Sequence, residues 1–332
     1  MRLKLLYKIF GPVIDNMLGS DEPDHTRLRN LVHKAFTQKR VEELRGRIDL
    51  LTRNIISNCL EKKTFDLVSD YALPIPTTII GEMLGVPPRD KMRFRRWSDA
   101  LFQSTATSWS GMIHNTPKFI AFLKYIRTLI DERRNNPQGD LISALVAAEE
   151  AGERLNSDEL LSMVLLLLIA GYETTVNLIS CGTLALLEHP DELAKLRAEP
   201  KLMGSAVEEM LRFYTPIDYA TYRWAHDDLP VAGVTIPRGE NVMVSISSAN
   251  RDEAQFVRPD QFDVAREPNR HIAFGQGIHY CLGAFLARLE GQLAIAALLE
   301  NCRDLRLAVP RSVLRWRKTL LLRGLEELPV HC

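Results

Sequence analysis

The run Phe274-Gly275-Gln276-Gly277-Ile278-His279-Tyr280-Cys281-Leu282-Gly283-Ala284 constrains this chain more than any other stretch. Gly275, Gly277 and Gly283 mark a loop that needs unusual backbone angles or lets a flat partner approach closely. After Gly283 the pattern turns helical, with Ala284, Leu286, Ala287, Leu289, Leu293, Ala294, Ala297 and Leu298 at helix spacing. Cys281 therefore sits just ahead of a helix, where free amides and the positive end of the dipole favour thiolate over thiol. A thiolate held this way is an electron-rich metal ligand. An isolated free cysteine is more often a small buried hydrophobe, so the loop carries the reading, not the cysteine alone.

Around this loop the chain is ordinary. Its 332 residues are 46% hydrophobic and 25% charged, enough apolar material for a sizeable core. The 42 basic and 42 acidic side chains cancel, which gives no support for a nucleic-acid partner. Cys59, Cys181, Cys281, Cys302 and Cys332 are scattered and form no Cys-x-x-Cys pair. Such a set argues against a disulfide framework and a zinc site, and it fits a reducing cytoplasm. The longest apolar run, Leu160 to Ala170, is too short to span a bilayer and reads as a core helix, so no membrane span is expected. The opening Met1-Arg2-Leu3-Lys4-Leu5-Leu6-Tyr7-Lys8 lacks a signal peptide's cleavage site and reads as a solvated helical stub, with a membrane-surface helix as the alternative.

Helix-spaced apolar residues predict helices over His25–Phe36, Lys39–Lys62, Asp90–Ser104, Pro117–Asn135 and Ser157–Glu188, then Asp191–Ala198 and Leu202–Tyr214. Ser157 reads as the N-cap of the longest one and His189-Pro190 as its end. Strand-like pieces come late: Ala220–Trp224, Leu229–Ala232, Val234–Ile236 and Glu240–Ser247, with Leu305–Val309 and Leu320–Arg323 as further candidates. Asn250 to His271, rich in Asp, Arg, Pro and Asn, reads as an irregular but ordered connection. The expectation is one domain over residues 1–332, mainly α with a small β portion.

Three further constellations stand out. In Ala170-Gly171-Tyr172-Glu173-Thr174-Thr175 a glycine, an acid and two threonines interrupt an apolar helix, and Thr174 is placed to bond back to the Ala170 carbonyl. Glu209 and Arg212 put opposite charges on one helix face; alone, such a pair is an exposed contact worth little. His25 and Arg29 lie one helical turn apart.

The cysteine run resembles the haem-binding loop of the cytochrome P450 superfamily, Phe-Gly-x-Gly-x-His-x-Cys-x-Gly, at every fixed position. The resemblance implies a cytochrome P450 fold and haem b, with Cys281 as the iron's axial thiolate and Phe274, Gly275, His279 and Gly283 in the loop around it. It makes Ala170, Gly171, Glu173 and Thr174 the oxygen groove: Gly171 leaves room, Thr174 bonds the oxygen and Glu173 relays protons. It pairs Glu209-x-x-Arg212 with Arg266 as a structural triad beneath the cysteine loop. It assigns His25, Arg29, Arg223 and His279 to the haem propionates, for which arginine forks are suited.

Members of that superfamily begin earlier, so the resemblance implies an N-terminally shortened fold whose match starts near Gly11-Pro12. The implied function is a cytoplasmic monooxygenase acting on a hydrophobic small molecule. Its pocket draws on Trp97, Leu101, Phe102, Leu166, Ile169, Ala170, Pro216 to Ala220, Thr319 and Leu320. No dinucleotide fingerprint or iron–sulfur cysteine run occurs in this sequence. A ferredoxin- or flavodoxin-type protein with its reductase is therefore the expected electron source. A peroxide-driven peroxygenase and a haem protein without turnover are the alternatives.

Overall fold

The computed structural model describes residues 16–94, 96–97, 109–150 and 155–332. The opening stub, Gly11-Pro12, the pocket candidates Leu101 and Phe102, and the expected helix beyond Trp97 lie outside the described residues. In chain order the helices are α1 (Asp24–Ala35), α2 (Gln38–Glu43), α3 (Arg45–Leu60), α4 (Pro74–Met83), α5 (Trp109–Asn135), α6 (Leu141–Glu150), α7 (Ser157–Glu188), α8 (Pro190–Ala198), α9 (Met203–Phe213), the single turn α10 (Ile246–Ala249) and α11 (Ala284–Asn301). Short strands are β1 (Thr64–Asp66), β2 (Arg223–Trp224), β3 (Leu229–Val231), β4 (Val234–Ile236), β5 (Asn241–Val242), β6 (Arg306–Leu307) and β7 (Pro329–His331). They form an antiparallel sheet β1-β7-β6 and two antiparallel pairs, β2-β5 and β3-β4. The fold is mainly α with a small β portion, as the sequence implied.

Helix α7 is the axis. It opens on a capping box: the Asn156 side chain accepts from the Asp158 and Glu159 amides, and Glu159 reaches back to the Asn156 amide. The cap is thus Asn156 and not Ser157, because the amide oxygen one residue earlier reaches both free N–H groups. Helices α4, α5, α6, α8, α9 and α11 pack on α7. Its first half, Leu160 to Tyr172, belongs to one apolar cluster with residues of α1, α4, α5 and α6. Its second half, Val176 to Leu186, belongs to another with residues of α3, α9, α11 and β7. Full burial of each leucine contributes about 1.5–3 kcal/mol. By length and apolarity this helix could also cross a bilayer, yet 67% of its most apolar window is buried by the fold itself, as befits a core helix. Gly291 of α11 brings that helix close to α7: a Cβ there would lie 2.8 Å from Leu178 Cδ2.

Several expectations are corrected. The helix expected over 39–62 is two, broken at Leu44, which closes α2 and opens α3. Pro117 lies inside α5 rather than at its start, so the helix forgoes one backbone bond there. Helices α4 and α6 and strands β1 and β7 are absent from the sequence reading, and the turn α10 takes the end of the strand expected over 240–247. The Leu320–Arg323 piece makes only an isolated bridge, Ile217 to Leu322. Against the reading of the cysteines, Cys302 at the end of α11 is disulfide-bonded to Cys332, with 4.8 Å between Cα atoms. Pairing of β6 with β7 brings these distant residues together. Cys59, Cys181 and Cys281 are free.

The segment from Asn250 to His271 has no regular structure, so its carbonyls need partners from elsewhere. Glu209 and Arg212 on α9 meet this need while fully buried, Arg212 as donor to the carbonyls and Glu209 as acceptor of the Asp263 amide. They pair bidentately at 2.7 and 2.8 Å, and Arg212 donates to the carbonyls of Asn250, Pro259 and Gln261. Arg266 joins at 3.0 Å from Glu209 and donates to the carbonyls of Val257, Arg258 and Gln261. Asn269 donates to Glu209 as well. The expected triad is therefore built. Arg212→Ala leaves a buried carboxylate half-paired and several carbonyls unmet, and should cost about 3–5 kcal/mol of unfolding free energy, read by urea unfolding.

Candidate functional site

The cysteine loop leaves the anchored segment at His271 and runs into α11. Gly275 and Gly277 take φ of +72° and +71°, the left-handed region that glycine enters without strain. The loop closes on itself: the Cys281 amide donates to the Phe274 carbonyl at 2.8 Å, and the Tyr280 amide to the Gly277 carbonyl at 3.0 Å. Gly283 is the residue before α11, so Cys281 sits two residues ahead of the cap, as the pattern predicted. Burial pushes the Cys281 thiol up, against the lowering effects of the Gly283 amide, Arg29 and Arg288. The net direction is opposite to that expected from the helix start alone, because the sulfur is sheltered. A coordinated cation deprotonates a thiol outright, whatever its burial.

Beside the loop the expected donors converge. The His25 and His279 rings lie 4.3 Å apart between centroids. Both are lowered from the ordinary histidine value, chiefly by burial; for His279 the charges of Arg223 and Arg29 add to this. His25 is buried, and neither ring nitrogen has a hydrogen-bond partner among the described residues. Arg29 reaches the Tyr280 carbonyl at 2.6 Å, tying α1 to the loop. Arg223 is exposed and contacts its own strand neighbours, Thr221 and the Tyr222 carbonyl. A basic group of four with an orphaned buried imidazole fits a doubly anionic partner such as the two haem propionates.

On α7 the stretch from Ala170 to Thr175 lies at the seam between the two apolar clusters. Leu166, Ile169, Gly171 and Thr174 are part-exposed and Ala170 is exposed, an uncovered flank on an otherwise buried helix. Thr174 donates to the Ala170 carbonyl at 2.9 Å, as expected. Thr175 is buried instead and donates to the Gly171 carbonyl at 3.3 Å. A Cβ on Gly171 would meet Ile80 of α4 at 3.6 Å, an ordinary contact, so protein packing alone does not demand glycine there. Glu173 is buried, and burial pushes its carboxyl up to about 7 against the pull of Arg317, whose Nη1 is 3.7 Å away. Of the other pocket candidates, Trp97 packs in the first cluster and Leu320 is exposed.

Two features escaped the sequence. Glu208, next to Glu209, holds a second arginine, Arg288, together with His271. Glu290 of α11 is fully buried, with both carboxyl oxygens lacking a hydrogen-bond partner among the described residues. Burial pushes it up to about 8; the neighbouring Thr175 hydroxyl opposes this weakly, its own bond running to Gly171. Its sequence signal is an acid on the apolar side of a helix.

Glu290 carries a stability consequence. Its folded pKa lies above the ordinary glutamate value of 4.5, so the native state holds a proton that the unfolded chain releases. Native stability then falls as pH rises from there towards about 8. Glu290→Gln should remove this slope and gain on the order of 3 kcal/mol relative to wild type between about pH 5 and pH 8.5. Urea unfolding at the two pH values measures it; parallel profiles would mean the carboxyl is hydrated.

The family model described as Cytochrome P450 matches residues 121–307. The polyketide biosynthesis cytochrome P450 PksS of Bacillus subtilis is 45% identical over 318 residues, 96% of this chain and 78% of that protein. Its solved structure superposes with a TM-score of 0.92, covering 98% of this chain and 83% of the other. The cytochrome P450 monooxygenase PikC of Streptomyces venezuelae is 45% identical, over 95% of this chain and 76% of PikC. The structure of P450BioI in complex with hexadec-9Z-enoic acid ligated acyl carrier protein gives a TM-score of 0.90 at 39% identity, covering 98% and 83%.

Proposed function

The chain belongs to the cytochrome P450 family, a haem-thiolate oxidoreductase of the monooxygenase type, and from that premise we propose its substrate, electron source and working residues. When bound, haem b would supply the iron at which dioxygen is activated, with Cys281 as the thiolate that would donate electron density to it. The observation that carries the reading is the closed Cys281 loop beside the basic group His25, Arg29, Arg223 and His279. In this reading Cys281 is the ligand, with Phe274, Gly275 and Gly283 shaping its loop. The four basic side chains hold the propionates.

Thr174 and Glu173 handle protons. Thr174 presents its hydroxyl at the uncovered flank of α7 next to Ala170 and Gly171, where its bond to the Ala170 carbonyl fixes its orientation. With a carboxyl raised to about 7, Glu173 is part-protonated at neutral pH and suited to give up and regain a proton. Arg317 keeps the ionised form tolerable in a buried place.

The substrate in this proposal is a hydrophobic molecule of long-chain acyl or polyketide type. Support comes from the apolar flank, from PksS and its polyketide pathway, and from P450BioI with its acyl-loaded carrier protein. Electrons come from a separate ferredoxin- or flavodoxin-type donor with its reductase, in the cytoplasm. A screen of free fatty acids, macrolactones and carrier-bound acyl groups, read by the haem's spin-state shift, tests the substrate class. No response from any acyl or polyketide ligand would overturn it.

The reduced carbon-monoxide complex should show the long-wavelength Soret band of an axial thiolate. Cys281→Ala or Cys281→His should lose it, whereas Cys59→Ser and Cys181→Ser should keep it; a histidine-type band in the wild type would sink the assignment.

Thr174→Ala should keep that band but release hydrogen peroxide in place of product. Glu173→Gln should slow turnover by about 100-fold and flatten the fall in wild-type rate above about pH 7. Product formed per electron pair is the measurement, with coupling as tight as wild type in Thr174→Ala the contrary result.

A further inference from the structure

The residues between His271 and Cys281 lie beyond the reach of the Glu209 triad, whose bonds end at Asn269. A second set of contacts begins there. Glu208, the neighbour of Glu209 on α9, accepts two bonds from Arg288 of α11, Nε at 2.7 Å and Nη2 at 2.8 Å. The same carboxylate contacts His271 Nε2 at 3.0 Å, and His271 Nδ1 accepts the Ala273 amide at 3.2 Å. That amide bond leaves the proton of neutral His271 on Nε2, facing Glu208. Burial alone would push Glu208 up, but Arg288 and His271 reverse this and hold it down at about 2, so the fork stays ionised.

Arg288 then touches the loop at both ends. Its guanidinium lies over the Phe274 ring, 4.5 Å from the centroid, and its Nη1 contacts the Tyr280 hydroxyl at 3.3 Å. Phe274 is the residue whose carbonyl receives the Cys281 amide, and Tyr280 is the residue before Cys281. Its positive charge also acts on the sulfur, alongside that of Arg29 and against burial.

The geometry points to Arg288, locked by Glu208 and His271, as a positioning residue that holds the Phe274–Cys281 loop in the shape a thiolate ligand needs. It acts through Phe274 and Tyr280 without touching the reacting atoms. A planar fork and a flat face are both used, so lysine is not equivalent. Two successive glutamates on one helix thus divide the work: Glu209 anchors the approach to the loop and Glu208 anchors the loop itself.

The inference rests on the haem-thiolate reading, and its test separates the two. Haem-loaded wild type, Arg288→Gln, Arg288→Lys and Glu208→Gln are reduced under carbon monoxide in a fixed, sub-denaturing urea concentration. The rate at which the thiolate band gives way to the shorter-wavelength band of a neutral thiol is recorded, with far-UV circular dichroism on the same samples. Arg288→Gln should convert about tenfold faster than wild type while helix content is unchanged, the size of effect that one charge-assisted bidentate contact supports. Glu208→Gln and Arg288→Lys should fall between, because each keeps part of the clamp; they carry the test if Arg288→Gln does not accumulate as folded protein. The ferric–ferrous midpoint potential should also fall in Arg288→Gln and recover in Arg288→Lys, which keeps the charge. A wild type without a thiolate band overturns the haem-thiolate reading. A wild type with the band, and variants that convert at its rate or only in step with loss of helix, overturns the role of Arg288.

Discussion

The buried pair Glu209–Arg212 is the contact on which the rest of this structure depends. Neither side chain sees solvent. Burying two charges is costly, and such a pair is weak as a source of net stability. Its value here is geometric. Asn250 to Asn269 forms no helix or sheet beyond turns, so its carbonyls have no ladder to enter. The guanidinium of Arg212 collects three of them, Arg266 collects Gln261 again together with two more, and one carboxylate orients both arginines. Asn250 extends the set, accepting the Ile272 amide and donating to Thr215. A segment that local sequence leaves shapeless is thereby given a single path, and that path delivers His271 and the cysteine loop to one place.

What the sequence disclosed follows the range of the interactions involved. The loop, the helix behind Cys281 and the Thr174–Ala170 bond are settled by neighbours within a few residues, and each was readable. The triad was readable only through the family pattern, since nothing local distinguishes Glu209–Arg212 from a surface pair. Features that rest on distant partners were missed. Strand β1 is three residues long and finds β7 some 265 residues later. The Cys302–Cys332 bond depends on the β6–β7 register, which no cysteine spacing encodes. Arg288 and Glu208 are 80 residues apart, and each reads as an ordinary exposed charge on an amphipathic helix.

Three glutamates show how environment, not residue type, allocates chemistry in this fold. Glu208 is part-buried, but a bidentate arginine and a histidine keep it ionised at any working pH, so it is a fixed negative anchor. Glu290 is buried at the seam of α7 and α11 with no cation beside it among the described residues, and burial holds its carboxyl up at about 8. Glu173 lies between these cases: buried like Glu290, yet within 3.7 Å of Arg317, which brings its carboxyl to about 7. Only a group poised near the working pH changes protonation readily in both directions. Of the three, Glu173 alone is adjacent to a hydroxyl on the uncovered flank of α7, where its neighbour Thr174 faces outward between the two apolar clusters. The proposed relay needs both a poised acid and an outlet, and Glu173 with Thr174 places a raised carboxyl and a part-exposed hydroxyl at one turn of one helix.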